Sequence, residues 1–320
     1  MKIGFVTCSA EKLSTYFPTL IEPHFVPVES CFTPDDQIAV NELRKQGYQV
    51  DPIIWGQSIA SLPHFDLVIV RSPWDYMDNP ENKQQFLTWI ADLEQSGTRI
   101  SNPVSFMLWM LDKHYLRDLQ TENVQIIPTQ YYEKGAHLNL ASYFSKNGPF
   151  VLKPCISAAG IGLFYISTIE EALHYQKEMN QQLQQSSYML QPFVNEIMTA
   201  GEWSLIFLGG KYSHAVHKKP GNNSILVHAE RGGSLSFPVE PSSSLIHFAN
   251  DAYVKIFSAF RKTIQSPFND DTIIYLRLDI IETEQGPVVI ECEGVEPELF
   301  FRAGAGSEKK FYEAVKKLLG

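Results

Sequence analysis

Short apolar runs alternate with amphipathic stretches over the N-terminal third of the chain. Residues 3–7, 48–54 and 67–70 read as buried strands. Asp36 opens a stretch in which Ile38, Ala39 and Leu43 recur at helical spacing until Gly47 stops it. Asn79-Pro80-Glu81 starts a second helix with Phe86, Ile90 and Leu93 on its apolar side. Strands separated by helices predict a parallel sheet, so residues 1–103 are expected to form an α/β domain that the chain leaves at Asn102-Pro103.

The texture then changes. Residues 108–120 carry a helical pattern, and 150–153 form a strand ended by Pro154. A loop of tiny residues follows at 157–162, then a strand at 163–166. Thr168 caps a helix with Glu170 and Glu171 in its first turn, where acidic groups meet the positive end of the helix. Residues 188–191 form a strand cut by Pro192. Beyond it the runs 203–208 and 211–218 flank Gly209-Gly210, a hairpin signal. A long helix spans 243–264, two strands cover 272–281 and 287–291, and an amphipathic helix ends the chain at 307–319. No internal repeat or low-complexity stretch interrupts this. The expected fold class is α/β with α+β lobes, divided at 1–103, 104–190 and 191–320.

Composition narrows the function classes. At 44% hydrophobic and 12% aromatic, the 320 residues can bury a large core, which excludes wholesale disorder. Lys and Arg number 26 against 36 Asp and Glu, a formal charge of −10, so nucleic acid is not expected as a main partner. The longest membrane candidate, residues 101–111, is uncharged but far too short to span a bilayer, so no membrane partner is expected. Met1-Lys2 and the early Glu11-Lys12 do not make a signal peptide. Cys8, Cys31, Cys155 and Cys292 contain no CxxC pair, so neither a disulfide framework nor a zinc knuckle is expected. The expectation is a cytoplasmic protein with reduced thiols. The sequence leaves the oligomeric state open, and a homodimer is compatible with it.

Candidate chemistry sits in three places. Lys153, at the end of a buried strand, faces the loop of Ser157, Ala158, Ala159, Gly160, Ile161 and Gly162. Such residues let backbone N–H groups approach phosphate oxygens while the lysine supplies a point charge. An ordinary tight turn is the competing reading. Strand alternation puts Tyr275, Arg277, Asp279 and Ile281 on one face, and Glu291 and Glu293 share a face on the next strand. Arg277 and Asp279 alone can be a structural ion pair. Three carboxylates at the ends of paired strands repel one another without a cation, and hard oxygen donors suit Mg²⁺. Lys218-Lys219 reads either as a solvated strand end or as a reach into a phosphate site. Arg71 ends a parallel strand, where α/β sheets place ligands, and can hold a carboxylate or pin Asp75 or Asp78. His214 and His217 point to opposite faces of a strand, and His228-Ala229-Glu230 lacks the Pro-Cys-x-x-Cys a zinc deaminase needs. Cys155 has no base nearby in sequence and reads as packing.

In order along residues 65–305, these features resemble an ATP-grasp ligase. Arg71-Ser72-Pro73-Trp74-Asp75-Tyr76, Leu111-Asp112-Lys113, Gly201-Glu202-Trp203-Ser204 and the run from Glu291-Cys292-Glu293 to Pro297 are similar to the cyclo-ligase subgroup of cycloserine biosynthesis. The resemblance implies an ATP-grasp fold behind an N-terminal parallel-sheet domain, with 104–190 as the small lobe and 191–320 as the catalytic lobe. It implies Mg-ATP, or Mn²⁺ in place of Mg²⁺, and a small amino-acid-like carboxylate substrate. A helix-borne Lys113 matches the first phosphate lysine, Lys153 the second, and the loop with Ser157, Ala158, Gly160 and Gly162 the lid. Gln191, Pro192, Phe193 and Val194 match the hinge that reads adenine; Glu202, or else Glu196, matches the ribose acid. Asp279, Glu291 and Glu293 match the metal ligands. Many relatives carry asparagine where Glu293 stands and arginine near Ser204, so Arg277 or Lys218 takes over the acylphosphate contact. The implied reaction is attack of a carboxylate on the γ-phosphoryl of ATP, giving ADP and an acylphosphate that an amine-type nucleophile opens. Ring closure, intermolecular peptide or amino-acid ligation, and a regulatory protein without catalysis are the three outcomes that the fold admits.

Overall fold

The computed structural model of the chain describes residues 1–16, 31–158, 160–221, 225, 227, 233–265 and 268–320. Ala159 and His228-Ala229-Glu230 lie outside the described residues. The first sheet holds β1 (Lys2–Thr7), β2 (Gln49–Ile54), β3 (Leu67–Ser72) and β4 (Ile100–Ser101), all parallel, in the order β2-β1-β3-β4. Helices α1 (Ala10–Tyr16), α2 (Pro34–Lys45) and α3 (Pro80–Gln95) accompany it. Helix α2 starts where the chain supplies three signals at once. Thr33 accepts the Asp36 N–H at 3.0 Å, Pro34 opens the helix, and Asp35 and Asp36 occupy the first turn. Asn102, at the exit of this layer, is fully buried. Its amide donates to Tyr275 O at 2.9 Å and Gly294 O at 2.7 Å and accepts from Ile274 N–H at 3.0 Å, so the exit is stitched to strands more than 170 residues away.

The helical pattern expected over 108–120 is two helices, α4 (Val104–Leu111) and α5 (Tyr115–Thr121). Asp112 between them is extended, at φ −98° and ψ 111°. The Lys113 N–H leaves the helical ladder and donates to Cys155 O at 2.8 Å. Lys113 is therefore borne on a junction and not on a helix.

The second sheet is antiparallel throughout: β5 (Gln130–Tyr132), β6 (Phe150–Pro154), β7 (Phe164–Ile166) and β8 (Tyr188–Pro192) in the order β5-β8-β6-β7. Helices α6 (Leu140–Asn147) and α7 (Ile169–Leu183) pack on it through a core that includes Leu140, Phe150, Leu152, Met179 and Leu190. Thr168 and Glu171 cap α7 reciprocally.

A short helix, α8 (Glu196–Thr199), leads into the third sheet. It contains β9 (Glu202–Leu208), β10 (Lys211–Lys219), β11 (Ser234–Ser236), β12 (Tyr275–Thr283) and β13 (Gly286–Glu293), antiparallel in the order β11-β10-β9-β12-β13. Gly209 (φ +55°) and Gly210 (φ +84°) turn the β9–β10 hairpin in a backbone region that other residues enter at a cost. Alternate residues of β9 feed two cores. Leu205 and Phe207 join Val6 and Val70 of the first sheet and Phe257 of α9 (Ser243–Ile264). Ile206 and Leu208 join Ile3, Phe5 and Phe311 of α10 (Ser307–Leu319). The first and third sheets thus share their cores, whereas the second sheet has one of its own. Among the described residues no helix is long and apolar enough to cross a membrane.

Candidate active site

Strand register gathers the charged side chains. Across β12 and β13, Arg277 faces Glu293 and Asp279 faces Glu291; across β12 and β9, Asp279 faces Ser204; across β9 and β10, Glu202 faces Lys218. Side-chain alternation turns all of them to one face of the third sheet. Arg277 grips Asp279, donating from Nε to Oδ1 at 3.0 Å and from Nη2 to Oδ2 at 2.9 Å, and it also pairs with Glu293. Ser204 Oγ donates to Asp279 Oδ1, Lys218 pairs with Glu202, and Lys218 Nζ stands 3.6 Å from Asp279.

The α4–α5 junction and β6 bring two more cations. Lys113 Nζ donates to Ser157 O at 2.7 Å and lies 3.1 Å from Glu291 Oε1. Lys153 is half-buried near the end of β6, and among the described residues no carboxylate pairs with it. In the loop beyond β6, Gly162 has φ +74°, and a Cβ there would stand 2.8 Å from Pro154 Cγ. Gly160, at φ +69°, is also left-handed. Ser157 Oγ donates to Pro154 O at 3.3 Å, and Ala158 O accepts the Ile161 N–H at 3.0 Å.

Four cations (Lys113, Lys153, Lys218, Arg277) therefore meet four carboxylates (Glu202, Asp279, Glu291, Glu293). Burial pulls the Lys153 ammonium below its usual range and Glu291 partly restores it. Burial also weakens ionisation of Asp279, but Arg277 and Lys218 outweigh it and hold the group well below the carboxylate range. Glu293 goes the other way: burial, with Asp279 and Glu291 nearby, pushes it up to about 8 against the pull of Arg277. Glu291 is held low because Lys113 and Lys153 overcome its burial. These donors are hard oxygens, the right type for a magnesium-class ion. Glu291 and Glu293 each expose 31% of their side chains, whereas Asp279 exposes 5% and both its oxygens accept from Arg277. Glu291 and Glu293 are thus the more open of the three carboxylates, and Asp279 is engaged by Arg277.

The hinge lies at the end of β8. Gln191 is buried and donates to Thr129 Oγ1 at 2.9 Å; Pro192 pairs with Phe150, and the Phe193 N–H is already spent on Pro149 O at 3.0 Å. Val194 O accepts the Ile197 N–H at 3.2 Å. Glu196 sits in α8, and its carboxylate accepts the Glu284 N–H at 3.3 Å. Arg71 is not open to the cleft. It is 2% exposed, donates to Asp36 at 2.8 Å and Pro297 O at 3.0 Å, and stacks over Tyr275; its partner is Asp36 and neither Asp75 nor Asp78. Sequence reasoning also missed Ser204 and the Tyr76–Glu296 contact, in which Tyr76 O–H donates to Glu296 at 2.7 Å. Burial pushes Glu296 up to about 7.

Residues 3–102 match the family of the D-cycloserine synthetase DcsG N-terminal domain, and residues 120–239 match the ATP-grasp domain of prokaryotic glutathione synthetase. The cycloserine biosynthesis protein DcsG of Streptomyces lavendulae is 27% identical, across 86% of this chain and 91% of its own. The crystal structure of D-cycloserine synthetase DcsG aligns with a TM-score of 0.77 at 21% identity over 100% of both chains. D-alanine–D-alanine ligase from Bacillus anthracis, complexed with ATP, gives 0.66 at 15% over 100% of this chain and 97% of its own. The two family matches fall on successive parts of the chain and the folds agree from end to end, which makes this chain a member of the ATP-grasp superfamily of ATP-dependent carboxylate–amine ligases.

Proposed function

We propose that the chain activates a small amino-acid-like carboxylate as an acylphosphate, with release of ADP, and that an amine-type nucleophile of the same molecule closes a ring. The observation that carries this reading is Lys153, which pairs with no carboxylate among the described residues, beside Lys113 in a set of otherwise paired charges. Lys153 makes no ion pair among the described residues that a polyanion would have to break, and Glu291 nearby favours its charge. In this reading Lys113 and Lys153 hold the phosphates, and the loop of Ser157, Ala158, Gly160 and Gly162 excludes water from the acylphosphate. Gln191, Pro192, Phe193 and Val194 face the base. Glu202, held by Lys218, meets the ribose hydroxyls, with Glu196 as the alternative. Glu291 and Glu293, joined by Asp279, hold Mg²⁺ or Mn²⁺. That ion, when bound, adds positive charge against the phosphates. Arg277 and Lys218 offset charge that develops on the transferred group, because phosphoryl transfer is mostly positioning and charge neutralisation. Arg71 is left a structural part.

The test is incubation of the purified chain with Mg-ATP and a panel of amino acids and small carboxylates. Carboxylate-dependent release of ADP and phosphate is expected, with a product lighter than its substrate by one water. Release of AMP and pyrophosphate would overturn the acylphosphate step, and a product that joins two substrate molecules would replace ring closure by intermolecular ligation.

A further inference from the structure

Outside the nucleotide cleft, a second polar cluster lies behind the Lys113 junction. The donor atoms of Asp112, His114 and Cys155 lie within 4.8 Å of one another. His114 Nε2 stands 3.9 Å from Cys155 Sγ and 3.1 Å from Glu133 Oε1. On the other side of the ring, Nδ1 lies 2.6 Å from Asp112 Oδ1, which also accepts the His114 backbone N–H at 3.1 Å. The four side chains come from three different places: the α4–α5 junction, the residue after β5 and the residue after β6.

The framework around them is firm. The His114 ring stacks on Tyr131 at 4.6 Å. Ser187 binds both remaining donors: its carbonyl accepts the Cys155 N–H at 2.9 Å, and its hydroxyl donates to Glu133 Oε2 at 2.9 Å. The Lys134 N–H in turn donates to Ser187 Oγ at 3.0 Å. Cys155 is buried, but the His114 side chain is 18% and the Glu133 side chain 65% exposed, so an ion has a way in.

We propose that His114 Nε2, Cys155 Sγ and a Glu133 carboxylate oxygen bind a zinc-class divalent ion, with Asp112 fixing the imidazole through Nδ1 and solvent completing the shell. Zinc bonds of about 2.3 Å to sulfur and about 2.0–2.1 Å to nitrogen place tetrahedral donors roughly 3.5 Å apart, so the 3.9 Å and 3.1 Å spacings from His114 Nε2 need to change by only a few tenths of an ångström, and the 65% exposed Glu133 side chain is free to rotate toward Cys155 Sγ. A ligating histidine whose far nitrogen is held by a carboxylate is the usual arrangement around such ions. Thiolate and imidazole favour zinc over magnesium, which keeps this site distinct in chemistry from the glutamates of the cleft. Binding breaks the S–H bond of Cys155 and forms the S–metal bond, and the thiol proton goes to solvent. Without an ion, burial and the neighbouring Asp112 and Glu133 push the thiol up to about 12. The same features make Cys155 a poor nucleophile, and the same two carboxylates favour a bound cation. The ion would clip the Lys113 junction, whose N–H already holds Cys155 O, to the end of the strand that carries Lys153.

The experiment is titration of the chelator-treated, full-length chain with Co²⁺ and then Zn²⁺, in excess Mg²⁺ so that the hard-oxygen site is occupied. One equivalent of Co²⁺ should give a thiolate-to-cobalt charge-transfer band that Zn²⁺ bleaches. Cys155→Ala should lose the band, and Asp112→Asn should keep it with about 10–100-fold weaker binding. Glu133→Gln, on the exposed side, should weaken binding with the fold untouched. It keeps the test valid if Cys155→Ala fails to fold. Absence of the band, a band that survives Cys155→Ala, or equal affinity in wild type and Glu133→Gln would overturn the site.

Discussion

Lys153→Met separates a lysine that serves a ligand from one that serves the fold. The substitution keeps the aliphatic stem and removes the charge. In the nucleotide-free protein, Lys153 pairs with no carboxylate among the described residues, and burial disfavours its ammonium. Its removal should therefore leave urea stability unchanged or slightly higher. Against Mg-ATP the same change deletes a charge-assisted contact of about 1.5–3 kcal/mol, which is roughly a 10- to 150-fold loss of affinity. Adenosine, which has no phosphate, should bind as before. Lys113→Met should behave differently, because it also breaks the 2.7 Å bond to Ser157 O and the 3.1 Å pair with Glu291. It should cost both affinity and about 1.5–3 kcal/mol of stability. Calorimetric titrations with Mg-ATP and with adenosine, and urea melts of both variants, make the comparison. A Lys153→Met protein that is destabilised yet binds Mg-ATP normally would refute the reasoning and return Lys153 to the core.

Glu202→Gln and Lys218→Met should each destabilise by about 3–5 kcal/mol, since each leaves a buried charge uncompensated, and the double variant should recover much of that; strict additivity in urea melts would deny the pair. Glu291→Gln should abolish turnover with an intact circular dichroism spectrum. Glu293→Asn should stay active with a higher Mg²⁺ requirement, and wild-type magnesium dependence would remove Glu293 from the ion's ligands. His214 Nε2–H donates to Leu299 O at 2.9 Å and Phe300 O at 3.0 Å, and burial outweighs these two bonds to lower the ring from 6.5 to about 4. The ring in the unfolded chain is protonated first as pH falls. The folded state should lose about 2 kcal/mol between pH 7 and pH 5 through this group, and His214→Gln should remove that part of the pH slope in urea melts.

The sequence was most legible where one local rule decides the structure. Gly209-Gly210 marked its hairpin, and the apolar periodicities of 243–264 and 307–319 coincide with α9 and α10. Alternation put Arg277 with Asp279 and Glu291 with Glu293, each pair on one face of its strand, and the β12–β13 register joins the two pairs. The elements left unread, among them α1, β4, β5, α6, α8 and β11, are short, and their formation depends on neighbours distant in the chain. The break at Lys113 has the same cause, for the bond that draws it out of the helix ends on Cys155 O. Arg71 carried no sign of Asp36, 35 residues away, and Cys155 none of His114, 41 away. Such partnerships are set by packing and leave no spacing to read.

The central claim is that a substrate carboxylate becomes an acylphosphate in this cleft. The most direct measurement follows the oxygen: a substrate found in the carboxylate panel is labelled with heavy oxygen in its carboxyl group and turned over with unlabelled ATP. An acylphosphate opened by an amine predicts one labelled oxygen in the released phosphate for each turnover, with ADP as the other product. Phosphate that emerges unlabelled while product forms would contradict the account.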